Sequence, residues 1–366
     1  MNHGVSRPTL VALGIGAVGF GASLLLGLFG VTVMPSYLGA WLFVLALPLG
    51  ALPVVMGCEL LDVPETLLVV MLRRLVAVMP LAALLAIPVL LRIHGLYPAL
   101  SAPKDGLPGW WMTPVFFVVR AVVLLVVWTA LSFVFSHRPG SGAIDTRRPL
   151  LAAGGLGLHF VMGTLAAVDW TLSVEPSFNS SAFGLLLISA WSSIAVSLAV
   201  TLVVSGRRPR AVRGLSADPR DPRATQQVST AIAVLLANWG FLVFTQYLVV
   251  WSANLPREVI WYQHRAAGLG LVAEYSAGIL CALALLALLP RGFARHAGLL
   301  AWVAAALLVM HGFEMLWLVT PAFRSSFTLT LADVLGLAGA AGTGIGAVMM
   351  LGEPSANQGR VGHGSA

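Results

Sequence analysis

The chain has 366 residues, of which 58% are hydrophobic and only 10% charged, and its mean hydropathy is +0.92. Soluble domains carry about a quarter charged residues, so a soluble enzyme or carrier is excluded and a polytopic helical membrane protein is expected. The net charge of +7 does not mark a nucleic-acid binder, because the basic residues lie in short loops between apolar segments and present no basic face to phosphates.

In chain order, the N-terminus MNHGVSRPTL leads into a long apolar run with no small-residue cleavage site, and is read as a retained helix. Ten spans are expected, near 8–32, 36–61, 71–93, 110–136, 149–173, 181–205, 230–254, 266–289, 295–319 and 327–352. The expected fold is therefore an all-α polytopic membrane protein. With both termini cytoplasmic, fifteen Lys and Arg fall on the inner side and five on the outer, and Arg120 inside a span completes the 21. That asymmetry follows the positive-inside rule. The largest inner loop, SGRRPRAVRGLSADPRDPRATQQ, is rich in Arg, Pro and Asp and reads as a mobile connector.

An internal repeat is visible in two spans. Span 5 ends AAVDWTLSVEPSF and span 9 ends GFEMLWLVTPAF, with seven residues from Asp169 to Pro176 and again from Glu314 to Pro321. This predicts two parallel four-helix bundles, spans 2–5 and spans 6–9, flanked by spans 1 and 10. The corresponding segments are 1–35, 36–178, 179–323 with the connector 206–229, and 324–366 with a cytoplasmic tail.

Several ionisable residues fall inside spans: Glu59, Arg120, His159, Asp169, Glu274, His311, Glu314 and Asp333. A charge at the centre of a span costs about 2.5–3.5 kcal/mol on insertion scales, so such groups face a bundle interior or a wet cavity and find partners. Asp169, Glu274, Glu314 and Asp333 all lie in the outer half. One reading is a proton-handling cluster. The other is structural, with Arg120 neutralised by one acid and the remaining acids at the interface or capping helix ends. His159 and His311 stand at different depths, which argues against a bis-histidine haem and for hydrogen-bonded bundle histidines.

Cys58 and Cys281 form no CxxC or CxxCH pattern and read as buried structural thiols. GIGAVG in span 1 fits GxGxxG but follows no strand, so Gly14, Gly16 and Gly19 are read as helix-packing positions, as is GAAGTGIGA in span 10. Trp110, Trp111, Trp251, Trp261 and Trp317 read as an interfacial aromatic belt.

The stretch from Leu235 to Arg265 places Asn238, Thr245, Gln246 and Tyr247 inside a span that ends at Trp251, Asn254 and Pro256. Gln246, Tyr247 and Trp251 are candidates for a quinone or polar pocket; bonding between helices is the simpler use. FTQYLVVWSANLPREVIWY within this stretch resembles the second large membrane subunit of alternative complex III, a quinol:cytochrome c or quinol:acceptor oxidoreductase. That subunit is itself one of the NrfD-like, polysulfide-reductase-type membrane subunits. TLAAVDWTLSVEPSFNSSAFGLLL, GWWMTPVFFVVRAVVLL, AVMPLAALLAIPVLLRIHGLYP and HGFEMLWLVTPAF carry the same resemblance, in order, over most of the chain.

The resemblance implies ten spans around two four-helix bundles in a bacterial cytoplasmic membrane. It also implies a quinone or quinol ligand and no redox cofactor held by this chain itself. Haems and iron–sulfur clusters would belong to partners: multihaem cytochrome c and iron–sulfur subunits, beside a homologous NrfD-like membrane subunit. Asp169, Glu314, Gln246 and Arg120 are the positions it singles out, whereas Glu274 stands where the family suggests a histidine. The competing readings are a stand-alone proton-coupled transporter and a haem-bearing membrane cytochrome.

Overall fold

A computed structural model of the chain describes residues 5–30, 32–100, 110–137, 147–206, 221–324 and 326–352. Lys104, Arg138, Arg360 and most of the expected connector, over 207–220, lie outside the described residues. Backbone groups in lipid must be satisfied within their own segment, which for a sequence of this hydropathy leaves the helix. Among the described residues ten helices are long and apolar enough to cross a membrane: Arg7–Phe29, Met34–Leu60, Leu67–Leu91, Pro114–Phe135, Arg148–Val174, Phe183–Val204, Pro222–Ala253, Gly270–Leu288, Ala297–Phe323 and Leu331–Met350, numbered spans 1 to 10. Among the described residues no β-strand forms, and the one isolated bridge joins Gly268 to Phe327.

Local chemistry sets the helix ends. Proline stands in the first turn of spans 1, 2, 4, 5 and 7, where a missing N–H costs nothing. Thr66 and Thr113 cap spans 3 and 4, and Thr330 with Asp333 forms a capping box at span 10. Span 7 is longer than its apolar core suggests. Asp221 accepts from the Arg223 N–H at 3.0 Å and Pro222 follows it, so 32 residues are helical and the first two turns are polar. At the far end Asn254 takes the left-handed conformation, with φ 48°, and Pro256 opens a new short helix, Pro256–Ala266.

Span 3 is broken. Pro80 and Pro88 divide it into Leu67–Val76, Met79–Leu84 and Ile87–Leu91. The Ala86 N–H bonds to Ala83 instead of Ala82, and the freed Ala82 carbonyl accepts from Trp41 Nε1 at 2.9 Å. Tyr37 Oη donates to the Leu85 carbonyl at the same distance. Both donors come from span 2.

Spans 2 and 6 form the centre, each with 89% of its most apolar window buried. They approach so closely that a Cβ on Gly50 would stand 1.8 Å from the Trp191 carbonyl oxygen. Span 2 packs against spans 3, 4 and 5, span 3 against 4, and span 4 against 5; span 6 packs against 7 and 9, with 8 between 7 and 9. Spans 5 and 9 both finish in a 3-10 turn, Leu172–Val174 and Thr320–Phe323. The two glycine runs face each other: Gly16 lies against Thr343 and Gly19 against Gly339, fastening span 1 to span 10. Both cysteines are free; Cys281 is buried, whereas Cys58 is only half-buried.

At the membrane face where spans 2 and 4 end and spans 3 and 5 begin, an ionic cluster ties all four together. Glu59 pairs with Arg73 and, at 3.0 Å, with Arg148. Arg73 also pairs with Glu65 at 3.0 Å and donates to the Phe135 carbonyl at 2.9 Å.

Candidate functional site

The charged residues at the opposite end of spans 4 and 5 form a closed pair. Arg120 Nε donates to Asp169 Oδ2 at 2.5 Å and Nη2 to Oδ1 at 2.8 Å, a two-point clamp in which both acid oxygens are used. Nη1 donates to the Trp111 carbonyl at 3.1 Å, and the guanidinium lies 4.4 Å above the Trp111 ring. Asp169 is only 1% exposed. Arg120 is thus neutralised by one acid. Tyr97, beside Phe117, keeps its hydroxyl buried and without a hydrogen-bond partner, and burial together with the nearby Asp169 holds that phenol well above its usual range.

Glu314, which precedes Pro321 by the same seven residues that separate Asp169 from Pro176, has other company. His311 Nδ1 lies 2.5 Å from Glu314 Oε2, and Trp239 Nε1 donates to Oε1 at 2.9 Å. His311 Nε2 is 2.9 Å from Ser193 Oγ. The chain Trp239–Glu314–His311–Ser193 therefore joins spans 7, 9 and 6, with Trp239 set edge-on to the imidazole at 5.4 Å. The pairing of His311 with Glu314 is not among the expectations from sequence, although their i, i+3 spacing is a signal for it; Trp239 and Ser193 carry no such signal.

Glu314 also lines a cavity of about 1390 Å³ between spans 7, 8 and 9 and the short helix Pro256–Ala266. This exceeds the roughly 300–1,000 Å³ of a usual small-molecule pocket. Its wall contains Gln246, Tyr247 and Trp251 as well as Glu274, so all three pocket candidates and two of the acids share one space. Gln246 is buried; it accepts from Ser180 Oγ at 2.8 Å and its Nε2 reaches Tyr262 Oη at 3.4 Å. Burial pushes the Tyr262 phenol up to about 12, against the opposing effect of Gln246, so it is a hydrogen-bond donor at neutral pH. Tyr247, Trp251 and Tyr275 line the cavity and are also exposed at the surface of the apolar helices.

The remaining candidates stand apart from this space. Asp333 belongs to the capping box and is held by Arg324, with contacts of 2.8 and 3.1 Å. His159 Nδ1 accepts from Trp128 Nε1 at 3.2 Å in the interior of the first half. Two residues counted only as outer cations have structural partners, Arg324 with Asp333 and Arg265 with Glu175 at 2.6 Å. Arg265 is 1% exposed. Its guanidinium lies 3.7 Å above the Trp261 ring and donates to the Leu318 carbonyl at 2.7 Å. Burial lowers it to about 10 despite the adjoining Glu175. Trp261 departs from the expected aromatic belt, being buried between Arg265 and Phe178. Among the described residues no group of three or more His, Cys, Asp or Glu is placed to hold a metal ion.

Comparison with known proteins yields no matching family model and no significantly similar curated protein.

Proposed function

We propose that this chain is an integral subunit of a quinol-oxidising complex of the alternative complex III type, seated in a bacterial cytoplasmic membrane with both termini inside. In this reading residues 36–178 and 179–323 are two parallel four-helix units. The chain supports electron transfer from quinol to cytochrome c or another acceptor and handles the protons that the reaction releases. Haems and iron–sulfur clusters belong to its partner subunits, and a homologous membrane subunit lies beside it.

The observation that carries the reading is the large cavity with Glu314 in its wall and His311 buried behind it as the partner of that carboxyl. An isoprenoid quinol has an apolar tail and a head with two hydroxyls. The apolar, aromatic mouth around Trp251 and Tyr275 suits the tail, and Gln246, Tyr262 and Glu314 supply polar partners for the head. Quinol oxidation delivers two electrons and two protons; Glu314 is placed to accept a proton at Oε1 or Oε2 and pass it to His311. The resemblance of FTQYLVVWSANLPREVIWY and the four other segments supports the same assignment.

Affinity purification of the full chain from its native membranes tests it. Multihaem cytochrome c and iron–sulfur subunits are expected to copurify, together with quinol:acceptor activity that falls at least tenfold in Glu314→Gln. Purification of the chain alone would overturn the assignment. The transporter reading draws on the broken span 3, because carriers often interrupt helices at their binding sites. The corresponding helix of the second half, span 7, runs unbroken through 32 residues, which favours the subunit reading.

A further inference from the structure

Span 6 and its C-terminal cap carry hydroxyl residues at every fourth position: Ser189, Ser193, Ser197, Thr201 and the cap Ser205. This i, i+4 row is one of the natural ridges of a helix. Ser189 accepts from Asn238 Nδ2, Ser193 stands beside the Trp239–Glu314–His311 group, and the row continues to the opposite end of the span. Ser193 meets His311 Nε2 at 2.9 Å. Ser197 is fully buried, and its Oγ has no hydrogen-bond partner in the protein. Thr201 is half-buried and donates to the Ser197 carbonyl at 2.8 Å, leaving its lone pairs free to accept. Ser205, which donates to the Leu202 carbonyl at 3.2 Å, is exposed, so the row emerges at the surface. An unpartnered buried hydroxyl costs free energy in an apolar helix. One midway along a row of others is where a bridging water belongs.

We propose that Ser193, Ser197, Thr201 and Ser205, with waters between them, form a proton path linking the His311–Glu314 pair at the cavity to the membrane face at Ser205. Four residues rise about 6 Å along a helix, which matches two hydrogen bonds through one water at about 2.8 Å each. From Ser193 to Ser205 the path covers about 18 Å of a hydrocarbon core about 30 Å thick. The cavity and its carboxylate cover the rest.

The transfer balances without any change of oxidation state. A proton on Glu314 Oε2 passes to His311 Nδ1, and Nε2 releases the proton it held to Ser193 Oγ. Each hydroxyl or water then accepts one proton on a lone pair and gives up another, until one leaves at Ser205. Rotation of the hydroxyls restores the row, and return of His311 from the Nδ1–H to the Nε2–H tautomer restores the acceptor for the next proton. The reverse direction uses the same atoms. The simpler role of the serines is to let span 6 approach its neighbours, as Gly50 does from the other side, and that role makes no use of the Ser197 hydroxyl.

The proposal deepens the proton-handling part of the function above, but its test needs neither quinol nor partner subunits. The full chain is reconstituted into vesicles of phosphatidylethanolamine and phosphatidylglycerol loaded with a pH-sensitive dye, and proton entry is driven by a valinomycin-clamped potassium gradient. Wild-type chain is expected to carry protons well above the level of empty vesicles. Ser197→Val and Glu314→Gln are expected to lower that flux at least tenfold. Ser197→Thr, which has the shape of the valine variant but keeps a hydroxyl, is expected to stay within twofold of wild type.

Flux at wild-type level in Ser197→Val, equal loss in the valine and threonine variants, or wild-type flux no greater than that of empty vesicles would each overturn the path. Failure to copurify redox partners would instead strike the assignment to the complex and leave this result standing.

Discussion

Asp169 and Glu314 each stand seven residues before a proline, near the ends of spans 5 and 9, yet their surroundings differ. Asp169 gives both oxygens to Arg120 under an aromatic lid. Glu314 shares its oxygens between an imidazole and an indole and stands at the edge of a large cavity. The first arrangement neutralises a charge and shuts it away, whereas the second leaves a carboxyl next to a group that can take a proton. An acid near the end of a span therefore has no fixed role, because the partner on the neighbouring helix decides it.

The contrast can be broken most forcefully at the closed pair. Asp169→Ala leaves a buried guanidinium without its acid, and removing one member of such a pair costs about 3–5 kcal/mol. Thermal unfolding of the purified chain should show a large fall, and the double variant Arg120→Leu/Asp169→Leu should recover most of it. A fall below about 1 kcal/mol would mean that Arg120 reaches water unaided. In the open group the effects are smaller. Trp239→Phe removes one donor to a carboxylate, worth about 1.5–3 kcal/mol for a charged partner, and should also shift the infrared carboxyl band of Glu314.

Tyr262→Phe takes away a donor at the polar end of the cavity. It should weaken binding of a quinol analogue roughly fivefold, about 1 kcal/mol, as followed by quenching of the cavity tryptophans; unchanged affinity would place the head group elsewhere. Glu314→Gln keeps the size of the side chain and an acceptor oxygen, so it should cost less than about 1 kcal/mol of stability while abolishing turnover-linked proton release. If Glu314→Gln destabilised the chain as much as Asp169→Ala, the distinction between the two halves would collapse.

Hydropathy alone was enough for the ten spans, because each is a long apolar run whose backbone has no alternative in lipid. The need of Arg120 for an acid was equally legible, from the cost of a lone charge; the i, i+3 spacing of His311 and Glu314 is a further signal, which a reading by depth along the span passes over. Arg265 was not legible. It lies in a short amphipathic helix and looked like one more outer cation, but its partner Glu175 is 90 residues earlier in the chain, and no local pattern announces a pairing across that distance. The early start of span 7 was missed for a different reason. Asp221 and Pro222 are sound start signals, but they precede a polar turn that hydropathy passes over. Ser193 looked like any small residue on an apolar helix until His311 was placed against it.

Span 3 has a consequence for how the chain is made at the ribosome. Its prolines leave carbonyls that lipid cannot satisfy, so on its own it is a poor passenger for the insertion machinery. Span 2 emerges first, carrying Trp41 and Tyr37 as donors that lipid cannot satisfy either. Each helix arrives with the deficit that the other corrects, and the order of synthesis brings the donors into the bilayer before the acceptors that need them. The two are thus expected to settle as one hairpin, a unit of biogenesis completed before the second half of the protein has been translated.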